Sequence, residues 1–265
     1  MSELRVFSYL PNPRIWKATI TARILGVDIE VRGAPTRELG EWLWDFDARP
    51  LTEEDRNDAS LARRGRTGFQ GRLFKSEAFM EAHPFGTVPA AFSGDGRVGI
   101  FESNSIMRTV ARLGGDEHGL YGRDPYSASR IDSFLDASLV FARDSQSYLL
   151  VLGTEALTTG VHNRARTAFE GYMNALESAL RRSEYIAGPE LTLADICFVC
   201  EYSLFSRERA WKQTVEELGA TPIDWSPYPL ATKHYETLCA HPAFAPDLGP
   251  FREKLERDMR KHGAI

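Results

Sequence analysis

The stretch His83–Leu113, HPFGTVPAAFSGDGRVGIFESNSIMRTVARL, limits what this 265-residue chain can fold into more than any other part of it. An apolar run, Val88–Phe92, carries Pro89 as its second residue, and a glycine turn at Gly94–Gly96 leads to a second run, Val98–Phe101. Glu102–Ser103 then opens a segment whose apolar positions are Ile106, Met107, Val110 and Leu113. This is the pattern of strand, tight turn, strand and capped helix. A proline so near a strand's start belongs at an edge or marks a cis peptide. Ser103 leads a helix N-terminus, where free backbone N–H groups and the positive end of the dipole attract an anion, typically a carboxylate.

Upstream, Leu4–Tyr9 alternates as a first strand, and Leu10–Pro13 (LPNP) is a loop. Ile15–Leu25 is a helix stopped by Gly26, and Val27–Val31 is a second strand. Such spacing makes a βαβ unit. From Gly33 to Gly71 runs an insert with Trp42, Trp44 and Phe46, followed by the charged stretch TEEDRNDASLARRGRTG. A structureless loop of this length is improbable inside a compact domain. The reading is a short helix over Arg37–Phe46 packed by its tryptophans, then a mobile charged excursion. Lys75–Ala82 is a further short helix.

The glycine-rich segment 115–123 reads as a linker. Beyond it the patterns are helical: Pro125–Leu150, Gly160–Arg182, Thr192–Trp211 and Tyr228–Ala240. The expected fold class is therefore α/β followed by all-α. A four-stranded mixed sheet domain (1–114, with the insert 33–71) precedes a helical bundle domain (124–265). Within the latter, Thr192 and Asp195 form a capping box ahead of an apolar run, a structural pair.

A formal charge of −5 gives no case for nucleic acid or an anionic membrane surface as partner. The basic cluster Arg63–Arg72 is explained as well by an exposed loop as by a ligand. No apolar run approaches the ~20 residues of a membrane helix, and the N-terminus lacks a signal peptide's order, so a cytoplasmic location is expected. Cys197, Cys200 and Cys239 form no disulfide framework. Cys197–Cys200 spells C-x-x-C, but it falls inside an apolar helix, which favours two buried thiols over a redox pair. The spacing fits no zinc site, and no metal is expected.

Both halves resemble the glutathione transferase superfamily. The first carries Val88–Pro89 followed by Glu102–Ser103. The second carries YIAGPELTLADI at Tyr185–Ile196, similar to that family's capping box after a Y-x-x-G turn. The resemblance covers the chain apart from the insert and implies a thioredoxin-like βαβ-ββα domain ahead of the helical bundle. Within the superfamily, RVFSYLPNPRIWKATITARILG and PFGTVPAAFSGDGRVGIFESNSI look most like the transferase-like domain of the elongation factor one gamma subunit. Bacterial transferases that cleave β-aryl ethers are another set of similar proteins.

The resemblance implies glutathione as co-substrate. The Val88 backbone would bind its cysteinyl part, Pro89 would be cis, and Glu102 and Ser103 would hold the γ-glutamyl ammonium and carboxylate. The family places a thiolate-stabilising residue after the first strand, where this chain reads SYLPNPRIWK. That position falls on Asn12 or Pro13. Asn12 is the first catalytic candidate, with Ser8 and Tyr9 as fallbacks; Arg14 and Lys17 either supply positive potential or are solvated charges at a helix start. The electrophile is expected against the first helical pair of the second domain, where Phe134, Phe141, Tyr148 and Leu149 recur at helical spacing, although such a stripe also suits a core.

Two functions are implied by the resemblance. One is an enzyme whose glutathione thiolate attacks a hydrophobic, aromatic electrophile or cleaves a β-aryl ether, serving the degradation of aromatic compounds, with the Trp-rich insert walling the substrate pocket. The other is a non-catalytic assembly domain like that of the elongation-factor subunit. The superfamily also implies a homodimer, or a heterodimer with a related subunit. The chain reads as ending in a short charged tail, FREKLERDMRKHG, with no further domain to scaffold, and this tips the expectation toward the enzyme.

Overall fold

A computed structural model describes residues 2–65, 68–69, 71–115 and 117–265. The chain divides into two compact units, Met1–Gly115 and Asp116–Ile265.

In the first unit, β1 (Leu4–Tyr9) leads through α1 (Pro13–Leu25) to β2 (Ile29–Ala34), which lies parallel to β1 with Leu4 opposite Ile29. Asn12 starts α1 by accepting from the Arg14 N–H at 3.0 Å, Pro13 fits its first turn, and Gly26 ends it at φ 70°. The chain then passes through a 3-10 turn, Leu39–Glu41, into β3 (Trp42–Trp44), β4 (Arg49–Pro50), α2 (Glu53–Asn57), β5 (Ala62–Arg64) and β6 (Arg72–Lys75). It returns through α3 (Glu77–Ala82) to β7 (Ala90–Ser93), β8 (Gly99–Phe101) and α4 (Ser103–Leu113). The expected four-stranded mixed sheet has the order β2-β1-β7-β8, with β1 antiparallel to β7.

The segment 37–46 is not the expected helix, and the charged stretch after it is not the expected excursion. The insert, with the strand Arg72–Lys75 that follows it, builds a second four-stranded sheet, β4-β3-β6-β5. The reason lies in the aromatics: Trp42 and Trp44 stand two residues apart, which puts both on one face of an extended chain, and Phe46 joins the same cluster from the turn that follows. Arg66 of the basic cluster lies outside the described residues.

Strand alternation on β1 explains the layering. Leu4 and Val6 pack with Ile15, Ala18 and Ala22 of α1 and Ile106 and Val110 of α4. Phe7, on the other face, packs with Trp44, Leu73, Phe79 and Phe92. The rings of Phe7 and Trp44 meet edge-on at 5.6 Å, and those of Trp44 and Phe79 at 6.1 Å. The second sheet therefore covers the face of the first that α1 and α4 leave open.

The second unit comprises α5 (Pro125–Leu149), α6 (Thr159–Leu180), α7 (Leu193–Ser206), α8 (Lys212–Glu217), α9 (Pro229–Cys239) and α10 (Ala245–Lys261). Every residue of α7 is buried, so it is the central helix, and Cys197 and Cys200 are buried thiols within it, held in no disulfide. The Cys197 thiol donates to Ser138 Oγ at 3.2 Å. Glu208, 3% exposed, accepts from Trp225 Nε1 at 2.7 Å, and burial pushes its carboxyl up to about 7. The expected charged tail is instead most of α10, whose exposed face carries Glu253–Arg257, Lys254–Asp258 and Glu256–Arg260 pairs at i,i+4 spacing. No helix among the described residues is long and apolar enough to cross a membrane.

Candidate functional site

The residues singled out in the first unit fall at one end of the first sheet: the end of β1, the loop before α1, the loop before β7, and the start of α4. The Val88–Pro89 peptide is cis, and so is Leu10–Pro11. Ala90 pairs with Phe7, which sets Val88 just outside the ladder beside the end of β1. Among the described residues no backbone hydrogen bond uses the Val88 N–H or C=O. Both groups are therefore available to an extended peptide ligand.

Ser103 and Asn104 form the first turn of α4 and are buried. Lys17, fully buried on α1, donates from Nζ to Ser103 Oγ at 3.2 Å and to Asn104 Oδ1 at 2.8 Å. A lysine this deep is rare. Of the two alternatives read from the sequence, it is not the solvated helix-start charge: the side chain is buried and reaches the start of α4. With its oxygen accepting from Lys17, the Ser103 hydroxyl keeps its own proton for donation to an anion. Glu102 precedes it, exposed, at φ 66° and ψ 124°, and among the described residues it is the one non-glycine with positive φ. Such a backbone costs roughly 1–3 kcal/mol and persists where surrounding structure imposes it, commonly at ligand sites.

The three catalytic candidates part company. Asn12, 1% exposed, donates from Nδ2 to Ser8 Oγ at 3.0 Å while its Oδ1 caps α1. One amide hydrogen of Asn12 remains for another acceptor. Ser8 is fully buried on the α1 side of the sheet. Tyr9 faces the second sheet, its ring 6.5 Å from that of Phe69. Gly33 presses on this region: a Cβ there would stand 1.7 Å from the Ser8 carbonyl oxygen.

Sequence reasoning missed Lys75 and His83. Lys75, at the end of β6 and 7% exposed, donates from Nζ to the Gly86 carbonyl and lies 4.5 Å from the centroid of the Trp44 ring. His83, 1% exposed, stacks on Phe101 at 4.9 Å. Burial first, and then the Lys75 charge, lower its pKa to about 4, so the imidazole is neutral at pH 7.

In the second unit both arms of the Thr192–Asp195 capping box are made. Asp195, fully buried, accepts from the Thr192 N–H at 2.9 Å, Thr192 Oγ1 at 3.0 Å and the Ile186 N–H at 2.9 Å, and lies 2.8 Å from His234 Nε2. Phe141 stacks on Tyr172 at 4.6 Å, and Tyr148, fully buried, pairs through its hydroxyl with His162 Nδ1 at 3.1 Å. Both belong to the helical core. Phe134 is half-buried, with the Arg130 guanidinium 4.6 Å from its ring centroid.

Residues 160–242 match the family model for the glutathione S-transferase C-terminal domain. The glutathione S-transferase isozyme E7 from Drosophila melanogaster has a similar solved structure, with a TM-score of 0.64 at 19% identity over 97% of this chain and 96% of that one. The chain thus has the fold of glutathione S-transferase structures, and its second unit carries the match to that family's C-terminal domain. Among curated proteins the chain is similar to probable elongation factor 1-gamma 1 of Arabidopsis thaliana, 28% identical over 68% of this chain and 41% of that protein. It is also similar to elongation factor 1-gamma of Danio rerio, 24% identical over 97% and 49%. The chain thus spans less than half the length of these curated relatives.

Proposed function

We propose that the chain binds glutathione and uses its thiolate to attack a hydrophobic, aromatic electrophile. The observation that carries this reading is the pairing of Ser103 with Lys17 at the start of α4, beside the strained Glu102. The buried ammonium and the helix dipole together favour a carboxylate at the Ser103 hydroxyl, while the exposed Glu102 side chain complements an ammonium. The γ-glutamyl end of glutathione has both groups. The cysteinyl backbone then pairs with Val88, which brings the sulfur toward the end of β1.

There Asn12 is the catalytic candidate. Its uncommitted amide hydrogen stabilises the thiolate, which is the form of sulfur that attacks. The sulfur forms a bond to the electrophilic carbon, and an aryloxide or halide leaves with the bonding pair. β-Aryl ether cleavage is the finer form of this reading. Trp42 and Trp44 are packed against the first sheet rather than set around a substrate, so the aromatic preference rests on the second unit, with Phe134 as the candidate that has free surface. Arg14 is kept as a source of positive potential near the sulfur.

A second reading, a non-catalytic assembly domain, is favoured by the likeness to the elongation factor 1-gamma proteins and by the commitment of Asn12 to Ser8. On either reading the chain works in a reducing, cytoplasmic setting as a homodimer or with a related subunit. The test is titration calorimetry with glutathione, followed by glutathione-dependent turnover on aromatic halides, epoxides, quinones and β-aryl ethers. No binding would sink the first reading. Binding without turnover on any of these would leave the assembly role.

A further inference from the structure

The loop His83–Val88 carries the Val88 backbone but has little of its own to hold it. Pro84, Phe85 and Thr87 are exposed, Phe85 to 67%. Two inward anchors remain. His83 is buried against Phe101, and the Gly86 N–H returns to the His83 carbonyl at 2.8 Å. The Gly86 carbonyl, two residues before Val88, is taken by Lys75. The fit is close: at φ 59°, a Cβ on Gly86 would stand 3.0 Å from Met80 Sδ and 3.3 Å from Lys75 Nζ.

Lys75 belongs to the second sheet, just after the insert. It ends β6 in register with Trp44 of β3, and its ammonium lies over that indole. Trp44 is itself fixed, with Nε1 donating to the Leu39 carbonyl at 3.0 Å and its ring packed on Phe7 and Phe79. An unbroken series of contacts therefore runs from β1, through the second sheet, to the loop before Val88. We infer that the second sheet is a brace for the ligand-docking loop, with Lys75 as the positioning residue that fixes the Gly86 carbonyl and so the Val88 backbone that meets the cysteinyl part of the ligand. This rests on glutathione as the ligand of that loop.

The test uses the full chain and Lys75→Met, which keeps the apolar stem and removes the donor. Hydrogen exchange in 84–89 should quicken at least tenfold, with β1 and α4 unchanged. Affinity for glutathione should fall about tenfold, whereas affinity for γ-glutamylethylamide, which has the γ-glutamyl end but no cysteinyl backbone, should stay within twofold. Ser103→Ala, by contrast, should weaken both ligands. Unchanged exchange in 84–89 overturns the brace, and so does an equal loss of both ligands. If the wild-type chain binds neither ligand, the glutathione reading fails and the exchange result alone decides the brace. Gly86→Ala, which crowds the same contact from the loop side, should reproduce the pattern should Lys75→Met not fold.

Discussion

Lys17 Nζ stands 3.2 Å from Ser103 Oγ and 2.8 Å from Asn104 Oδ1, so a buried ammonium on the first helix sits behind the N-terminus of the fourth. Replacing Lys17 by Met removes two charge-assisted bonds and the charge itself. Such bonds contribute about 1.5–3 kcal/mol each. Even the lower figure, felt at the ligand's carboxylate, is roughly a tenfold weaker glutathione affinity. Calorimetric titration reads this, and an unchanged Kd would show that the ammonium serves packing alone.

Asn12 has a capping role and a proposed catalytic one, and Asn12→Asp separates them. The aspartate still caps α1 and still accepts from the Arg14 N–H. It offers the thiolate a negative charge in place of an amide hydrogen. Thermal stability should stay close to wild type while turnover falls at least tenfold. Wild-type turnover in this variant would remove Asn12 from the reaction.

Asp195→Ala leaves the buried Thr192 and Ile186 N–H groups unpaired. Each such donor costs about 1–3 kcal/mol, so the helical unit should lose about 3 kcal/mol or more. For a unit of this size that is a fall of about 10 °C in Tm, readable by calorimetry. A shift of only a degree or two would mean that water replaces the carboxylate.

Glu208 gives a pH dependence with a definite sign. Burial raises its folded pKa from 4.5 to about 7, with the Trp225 bond and Arg209 opposing. Between those values the folded state holds a proton that the unfolded state has lost. Its contribution is therefore fully present below pH 4.5 and is lost as pH rises through 7, by an amount on the order of 3 kcal/mol. Glu208→Gln keeps the acceptor for Trp225 and removes the ionisation. Its Tm should exceed wild type at pH 8 and converge on it near pH 4.5. Parallel curves for the two proteins would rule out Glu208 as the source.

Much of the first sheet was legible because its signals are local. Alternation marks β1, Asn12, Pro13 and Gly26 bound α1, and the proline with the Glu–Ser pair marks the β7–α4 region. The Thr192–Asp195 box was legible for the same reason, although its tie to His234 spans 39 residues and leaves no local trace. Two patterns were misread. In WLWDF the period of two in the aromatics outweighed helix propensity, because a sheet face was waiting for them. In α10 the run of charges looked like a solvated tail, yet the i,i+4 order of opposite signs was already that of a helix. At the candidate site, Lys17 and Lys75 were opaque for one reason. A lysine's default is solvent, and only long-range packing shows which lysine has been drawn inside.

The second sheet also bears on how the chain behaves in company. Adding a sheet to a domain adds two strand edges, each a row of unpaired backbone groups on which another chain can stack. Here β4 is two residues long and ends in Pro50, which has no N–H to offer. On the opposite side β5 is three residues long and carries Arg63 and Arg64, so an approaching copy meets like charge. The domain gains a layer without gaining a surface on which to form fibrils.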